Sequence, residues 1–477
     1  MLFLLAFGVL LALHAPYLRL PYFWDEMGQF IPTAMDLYHD GSWITHTAVP
    51  NVHPPSVEAL VALVWRVFGS SILAARLTML AVAAMGVALS FLLATRLTRG
   101  VAGAVAAVLF LIASPIFYTQ SMLVQLDMPA MTFTVLALLL FLDQRYGWCA
   151  AACTILVLTK ETSITTPVVF AAWLWFREKQ RRQALYLVLP AIALGMWLVF
   201  LHNGTGHWLG NEEFARYNLA GTVDPIHLAL TVTERLRFLF WSDGHFVATI
   251  ALVVGWRLLR GSAWTVAALV AAAQVTIVTV FGNPLVRYLV PVLPIFFAAV
   301  ATAASVYSPK WRWVSHSALI ILMVAGWFWN PPYPYAYENN LTMIDFVRLQ
   351  QDAAKYLDAN AGAKRIATAW PLTDELKNPS LGYVTRPLQT VDTGGLRLDY
   401  LSAVNRQSFD LLVVYTRNKP AAGTILDVAP LRDTLQHYYE YYPQASPQEI
   451  KSKMGMVPLM RWARRDQWVE IYGPAPQ

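Results

Sequence analysis

Residues Ile72–Tyr118 read ILAARLTMLAVAAMGVALSFLLATRLTRGVAGAVAAVLFLIASPIFY. Two apolar runs, 72–95 and 101–118, flank Arg96-Leu97-Thr98-Arg99. Neither run alternates with polar residues, as a half-buried strand would. A helix of roughly 20 apolar residues matches the hydrocarbon thickness of a bilayer, and cationic residues in a short connection stay on the cytoplasmic side. The stretch predicts two membrane helices joined by an inward loop, and it orients the rest of the chain.

Working outward, apolar segments near 1–16, 128–143, 146–160, 163–177, 184–202, 244–260, 262–282, 286–306 and 311–329 bring the expectation to about eleven spans. With the N-terminus inside, the inward connections are 96–99, Asp143–Tyr146, Arg177–Arg182 (REKQRR), Arg257–Arg260 and Lys310–Arg312. All but Asp143–Tyr146 are clearly basic, as the positive-inside rule requires, whereas Arg19 and Arg66 fall outside. An odd number of spans places the C-terminal region outside as well. Residues 1–16 lack a basic leader, and Pro16 follows the one cleavage-like stretch, so they read as an uncleaved first helix.

Composition agrees. The 477 residues are 57% hydrophobic and 13% charged, against roughly 25% charged in soluble domains. The net charge of +6 resides largely in short loops, and no basic stripe with interleaved aromatics appears, so no nucleic-acid partner is expected. Cys149 and Cys153 stand at helical spacing in an apolar run and read as small packing residues.

The first outward loop, 17–71, holds two amphipathic stretches too short to span, Gln29–Asp40 and Ser56–Phe68. They read as juxtamembrane helices joined by Gly41–Pro55, which ends in His53-Pro54-Pro55. After Trp329, Asn330–Tyr337 (NPPYPYAY) cannot continue a helix and forms the core of a Pro/Tyr linker over 330–341. Residues 342–477 then read as a soluble α/β domain. Helices are expected at Thr342–Leu357 and from Thr373, and strands at Arg365–Ala369, Asp410–Tyr415 and Trp468–Tyr472. Gly394-Gly395 is a turn, not a nucleotide-binding glycine pattern. The expected fold is a polytopic α-helical membrane domain over 1–329 followed by this extracytoplasmic domain.

The ionisable residues at membrane edges gather on the outward side. Asp25-Glu26 follows Tyr22-Phe23-Trp24. It reads either as the acidic N-terminus of the first juxtamembrane helix or as a carboxylate that takes a proton from an acceptor hydroxyl. Asp127, before Met128-Pro129, caps a membrane helix or shapes a site; a cap is also a rigid mount. Lys160-Glu161 interrupts an apolar stretch, and Arg287-Tyr288 opens a span containing Pro291 and Pro294. Each cation either snorkels to the interface or meets a phosphate, for which the Arg fork is well shaped. His53 reads as a loop hydrogen-bonder rather than as a metal ligand shared with Glu58, His207 or His245. The 203–243 loop carries Glu212-Glu213 and Arg216-Tyr217 and is placed to close over a substrate.

In order and in side of the membrane, these features resemble the GT-C glycosyltransferases of family 39, the protein O-mannosyltransferase and aminoarabinose transferase group. The resemblance covers roughly 15–300. It rests on Trp24-Asp25-Glu26, His53-Pro54-Pro55, Ala75-Arg76-Leu77, Ser114-Pro115, Asp127-Met128-Pro129, Lys160-Glu161 and Arg287-Tyr288. It implies a bacterial inner-membrane enzyme that moves a monosaccharide, with inversion, from a polyprenyl-phosphate carrier to a lipid, glycan or protein acceptor on the extracytoplasmic face.

The resemblance makes Asp25, beside Glu26, the general base or the group that orients the acceptor, and Asp127 the acid shaping the acceptor site. It sets Lys160, Arg287 and Tyr288 near the lipid phosphate, and His53 and Glu161 in the acceptor-side loops. The lipid-linked sugar is the donor, and no metal or other cofactor is expected. The chain departs in carrying Ser56-Val57 where many members have a bulky aromatic, and its C-terminal domain is unlike a β-trefoil insert. A transporter or flippase is the alternative, predicting polar residues at span midpoints and inverted repeats; here the polar groups gather at one edge.

Overall fold

The computed structural model describes residues 1–98, 100–212, 216 and 224–475. Arg99, Glu213 and Tyr217 lie outside the described residues. The chain forms two units. One comprises Met1–Leu18 and Gln29–Phe328; the other comprises Arg19–Gly28 and Trp329–Gln477. Segment 19–28 thus packs with the C-terminal residues, and the Pro/Tyr linker belongs to that same unit.

Every expected apolar segment of the first unit is helical. Ile72–Thr98, Arg181–Thr205, Ser262–Val280 and Val286–Val306 are each long and apolar enough to cross a bilayer. Pro225–Phe240 with Ser242–Leu258, bent by 43°, makes a fifth if the pair is one span. Leu2–Tyr17, Val101–Ala113, Asp127–Leu142 and Tyr146–Thr159 are apolar but shorter; a 13-residue helix reaches only about 20 Å. By length and composition together, therefore, fewer than eleven helices qualify among the described residues. The breaks are local: Val101–Ala113 stops at Ser114, and Pro115 starts the next helix where its missing N–H costs nothing.

Burial sorts these helices. Val286–Val306 lies inside, with Leu289, Val290, Phe297 and Ala298 buried. Arg181–Thr205 instead exposes Leu189, Ile192, Met196, Val199 and Phe200 along one face. Water would not tolerate such a stripe, but lipid solvates it. Inner helices approach closely through small residues: a Cβ on Gly86 would meet Met131 Cε and Thr132 Oγ1 at 2.6 Å. Gln274 Nε2 donates to Thr134 Oγ1 (3.0 Å) and Thr166 Oγ1 (2.8 Å), joining three helices inside the bundle.

The second juxtamembrane helix is Ser56–Phe68, as expected, and ends at Gly69 with φ +82°. The first begins as a wide turn over Glu26–Phe30 and continues as Ile31–His39, with Pro32 in its first turn. Arg66, which dissented from the charge rule, has a local purpose: its Nη2 donates to the Leu37 carbonyl at 3.0 Å and ties the two helices together. Asp36, which the sequence did not mark, organises the connecting loop. It accepts from Thr45 Oγ1 (2.7 Å), the His46 N–H (2.9 Å), the Thr47 N–H (3.2 Å) and Thr47 Oγ1 (2.9 Å). The 203–243 region is not all loop: Pro225–Phe240 is a helix whose first N–H groups are capped by Asp224.

The C-terminal unit carries a mixed sheet of β1 (Ile366–Thr368), β2 (Thr390–Asp392), β3 (Leu411–Tyr415), β4 (Met456–Arg464) and β5 (Gln467–Pro474). The order is β2-β1-β3-β5-β4. β2, β1 and β3 run parallel, whereas β5 is antiparallel to both β3 and β4. The β3 sequence LLVVY is buried throughout, the continuous apolar run of a central strand. Edge strand β4 accommodates Pro458 beside a register shift, where a missing ladder donor is tolerated. Helix Thr342–Asn360 packs against β4 and β5.

Candidate active site

In the helical unit the expected cations converge on one carboxylate. Asp127 starts helix Asp127–Leu142, Lys160 follows the last residue of Tyr146–Thr159, and Arg287 lies in the 3₁₀ segment Val286–Val292. All three are buried, at 2%, 6% and 5% exposure. Lys160 Nζ lies 2.5 Å from Asp127 Oδ1, and Arg287 Nε lies 3.5 Å from Oδ2. Snorkelling therefore does not describe Lys160 or Arg287, because both heads point inward to a partner. Asp127 was expected to face an acceptor; the fold puts it directly on the two cations.

Tyr288 adds a π surface. Its ring centre lies 4.1 Å from Lys160 Nζ, 5.5 Å from the Arg287 guanidinium and 5.6 Å from that of Arg235. The loop before it comes close because residue 282 is glycine: a Cβ there would sit 3.2 Å from Tyr288 Cδ2 and 2.5 Å from the Val278 carbonyl.

Arg235 is the residue that sequence reasoning missed. It is 1% exposed and donates to the backbone carbonyls of Leu285, Asn283 (2.7 Å) and Val278 (3.4 Å). These bonds fix the loop that delivers Arg287 and Tyr288. The cluster thus sets Lys160 and Arg287 on Asp127 and gathers all three cations around the Tyr288 ring.

His53 and Glu161 meet beside this cluster in sequence: His53 Nδ1 lies 2.7 Å from Glu161 Oε2, tying the 41–55 loop to the end of helix Tyr146–Thr159. Burial pushes the Glu161 carboxyl up, but the His53 charge and hydrogen bond outweigh it, and the net shift is downward. Glu58, in the first turn of its helix, is buried with Oε2 lacking a hydrogen-bond partner among the described residues. Burial raises its carboxyl to about 7 despite the opposing pull of His53. Among the described residues, no three His, Cys, Asp or Glu side chains converge as a metal-ligand set. Glu212 and Arg216 are exposed.

In the C-terminal unit, Asp25 and Glu26 differ sharply. Glu26 is wholly buried and its Oε2 accepts the Phe23 N–H at 2.9 Å, so it locks the turn from inside. Asp25 is only partly buried, at the apex of that turn.

Residues 52–202 match the family described as dolichyl-phosphate-mannose-protein mannosyltransferase. The crystal structure of ArnT from Cupriavidus metallidurans bound to undecaprenyl phosphate superposes with a TM-score of 0.59 at 14% identity, covering 99% of each chain. The chain has the fold of this ArnT. The apo state of the same ArnT gives a TM-score of 0.57 at 14% identity, over 98% of this chain and 99% of that one. No curated protein sequence matches. The family match contains His53, Glu58, Asp127, Lys160 and Glu161, whereas Asp25, Glu26, Arg235, Arg287 and Tyr288 lie outside it.

Proposed function

We propose that this GT-C protein is an inverting glycosyltransferase that uses a polyprenyl-phosphate sugar on the extracytoplasmic face of the bacterial inner membrane. The observation that carries the reading is the buried group of Lys160, Arg287 and Arg235 around Asp127 and Tyr288. The undecaprenyl phosphate held by the ArnT of similar fold supports the same donor class.

The acceptor is a lipid, glycan or protein hydroxyl or amine. Its proton passes to the Asp25 carboxylate as its heteroatom attacks the anomeric carbon. The bond from that carbon to the phosphate oxygen breaks, and the electron pair leaves on the lipid phosphate. Lys160 and Arg287 stabilise the charge developing there, which is where preorganised cations accelerate a reaction. Arg235 holds their loop. Asp127 fixes the two cations in place before the donor arrives. In this reading all eleven apolar segments cross or enter the bilayer, the N-terminus is cytoplasmic, and residues 342–477 are outside.

The test is transfer by purified protein supplied with polyprenyl-phosphate sugars and extracted envelope lipids, comparing wild type with Asp25→Asn. Transfer is expected to fall by on the order of a hundredfold or more. Undiminished transfer by the variant removes Asp25 from the mechanism. Movement of substrate across vesicles without any glycosidic product selects the transporter reading instead.

A further inference from the structure

We propose that the C-terminal α/β domain is the clamp that positions Asp25, with Phe346, Trp370, Tyr383 and Arg417 as positioning residues for the transfer reaction. The proposal rests on the reading of Asp25 as proton acceptor. Its physical basis is that residues 19–28, though they precede almost the whole helical unit, are part of the C-terminal unit.

The segment is held at both ends. At its start, the Tyr22 N–H donates to the Leu381 carbonyl (3.4 Å), and Tyr383 Oη donates to the Tyr22 carbonyl (2.9 Å). At its end, Gly28 lies flat against an indole: a Cβ there would sit 3.2 Å from Trp370 Cζ2. Between them, Phe23 and Trp24 enter an aromatic socket. Phe23 meets Phe346 edge-on at 5.7 Å, and Trp24 meets Phe346 at 5.8 Å and Trp370 at 5.0 Å. The Arg417 guanidinium lies over both indoles, 5.9 Å from Trp24 and 5.7 Å from Trp370.

This socket explains an otherwise unfavourable backbone. Trp24 has φ +50°, a left-handed conformation that a bulky side chain adopts only where its surroundings impose it. From that kink the chain closes a tight turn: the Glu26 N–H bonds to the Phe23 carbonyl (3.0 Å), and the Met27 and Gly28 N–H groups bond to the Trp24 carbonyl (2.9 and 3.1 Å). Tyr22, Phe23, Glu26 and Met27 are buried as anchors, and Asp25 alone of residues 22–27 besides Trp24 is left partly open. The clamp therefore fixes the direction of one carboxylate, and misaiming a reacting group by about 1 Å costs up to about a hundredfold in rate.

Two readouts test this. With transfer assayed as above, Trp370→Ala is expected to lower kcat by about tenfold to a hundredfold while the donor KM stays within about twofold. Trp370→Phe is expected to recover most of that loss. Hydrogen exchange of the amides at residues 26–28 is expected to accelerate in Trp370→Ala and to stay slow in Trp370→Phe. Should Trp370→Ala fail to fold, Tyr383→Phe and Gly28→Val make the same test from the two ends of the segment. A folded Trp370→Ala enzyme with wild-type kcat overturns the proposal, as does unchanged exchange at 26–28. Wild-type protein that transfers no sugar from any donor strikes the functional reading, while the exchange result still decides whether the domain clamps the segment.

Discussion

The Lys160 ammonium stands 4.1 Å from the centre of the Tyr288 ring while its Nζ also contacts Asp127 Oδ1 at 2.5 Å. One buried cation is thus held by a carboxylate and by a π face at once, and the two partners respond differently to substitution. Tyr288→Leu removes the π face and leaves the carboxylate in place. A desolvated cation–π contact is worth up to about 2 kcal/mol, so binding of undecaprenyl phosphate, followed by titration, is expected to weaken by about tenfold to thirtyfold. Tyr288→Phe keeps the ring and should bind like wild type; equal weakening in both variants sinks the π argument.

Asp127→Asn acts in the opposite sense on the ligand. Breaking a buried charge pair by removing one partner typically costs about 3–5 kcal/mol, so the variant should melt well below wild type. Yet Lys160 and Arg287 then face a neutral amide in place of the carboxylate, and the lipid phosphate should bind at least as tightly as before. Loss of both stability and phosphate affinity would show that Asp127 does not compete with the ligand for the cations.

Arg235→Lys keeps the charge but not the fork that reaches the carbonyls of Leu285, Asn283 and Val278. An ammonium cannot span them with the same geometry. We expect kcat/KM for the donor to drop by on the order of tenfold, with the loss shared by Arg235→Met. If Lys substitutes fully in steady-state assays, charge rather than loop fixation is what Arg235 supplies.

Glu58 predicts a pH signature. Burial raises its carboxyl from the usual 4.5 to about 7 in the folded protein. A group raised on folding contributes stability that is fully present below about pH 4.5 and is lost as pH rises through about 7. Glu58→Gln keeps the shape without the charge. It should therefore flatten that decline and raise the melting temperature above pH 7, the difference corresponding to at most about 3 kcal/mol. Parallel melting curves for the two proteins across pH 5–8 would be the contrary result.

What the sequence disclosed was governed by how local the signal is. Helices announce themselves through uninterrupted apolar runs, and Ser56–Phe68 was legible to the residue because Pro55 and Gly69 bracket an amphipathic stretch. Lys160 and Arg287 stood out because a charge inside an apolar run is conspicuous. Arg235 did not, since TVTERLRF around it looks like any solvated helix face, and its burial is decided by the loop it holds. Strands β1, β3 and β5 were visible as apolar runs. Edge strand β4 was not, because it exposes most of its side chains and contains Pro458. The differing fates of Asp25 and Glu26 depend on aromatic partners more than 300 positions away, which no window on the sequence contains.

That distance sets an order of events during synthesis. Tyr22 leaves the ribosome 361 residues ahead of Tyr383, the side chain that binds its carbonyl. At about 5–20 residues per second, roughly 20–70 s pass before that donor exists. Throughout that interval the turn at Phe23–Gly28 lacks the residues it finally rests on, while the helical unit is already being made. A chain interrupted before its final domain would thus lack the side chains that hold Tyr22, Phe23 and Trp24.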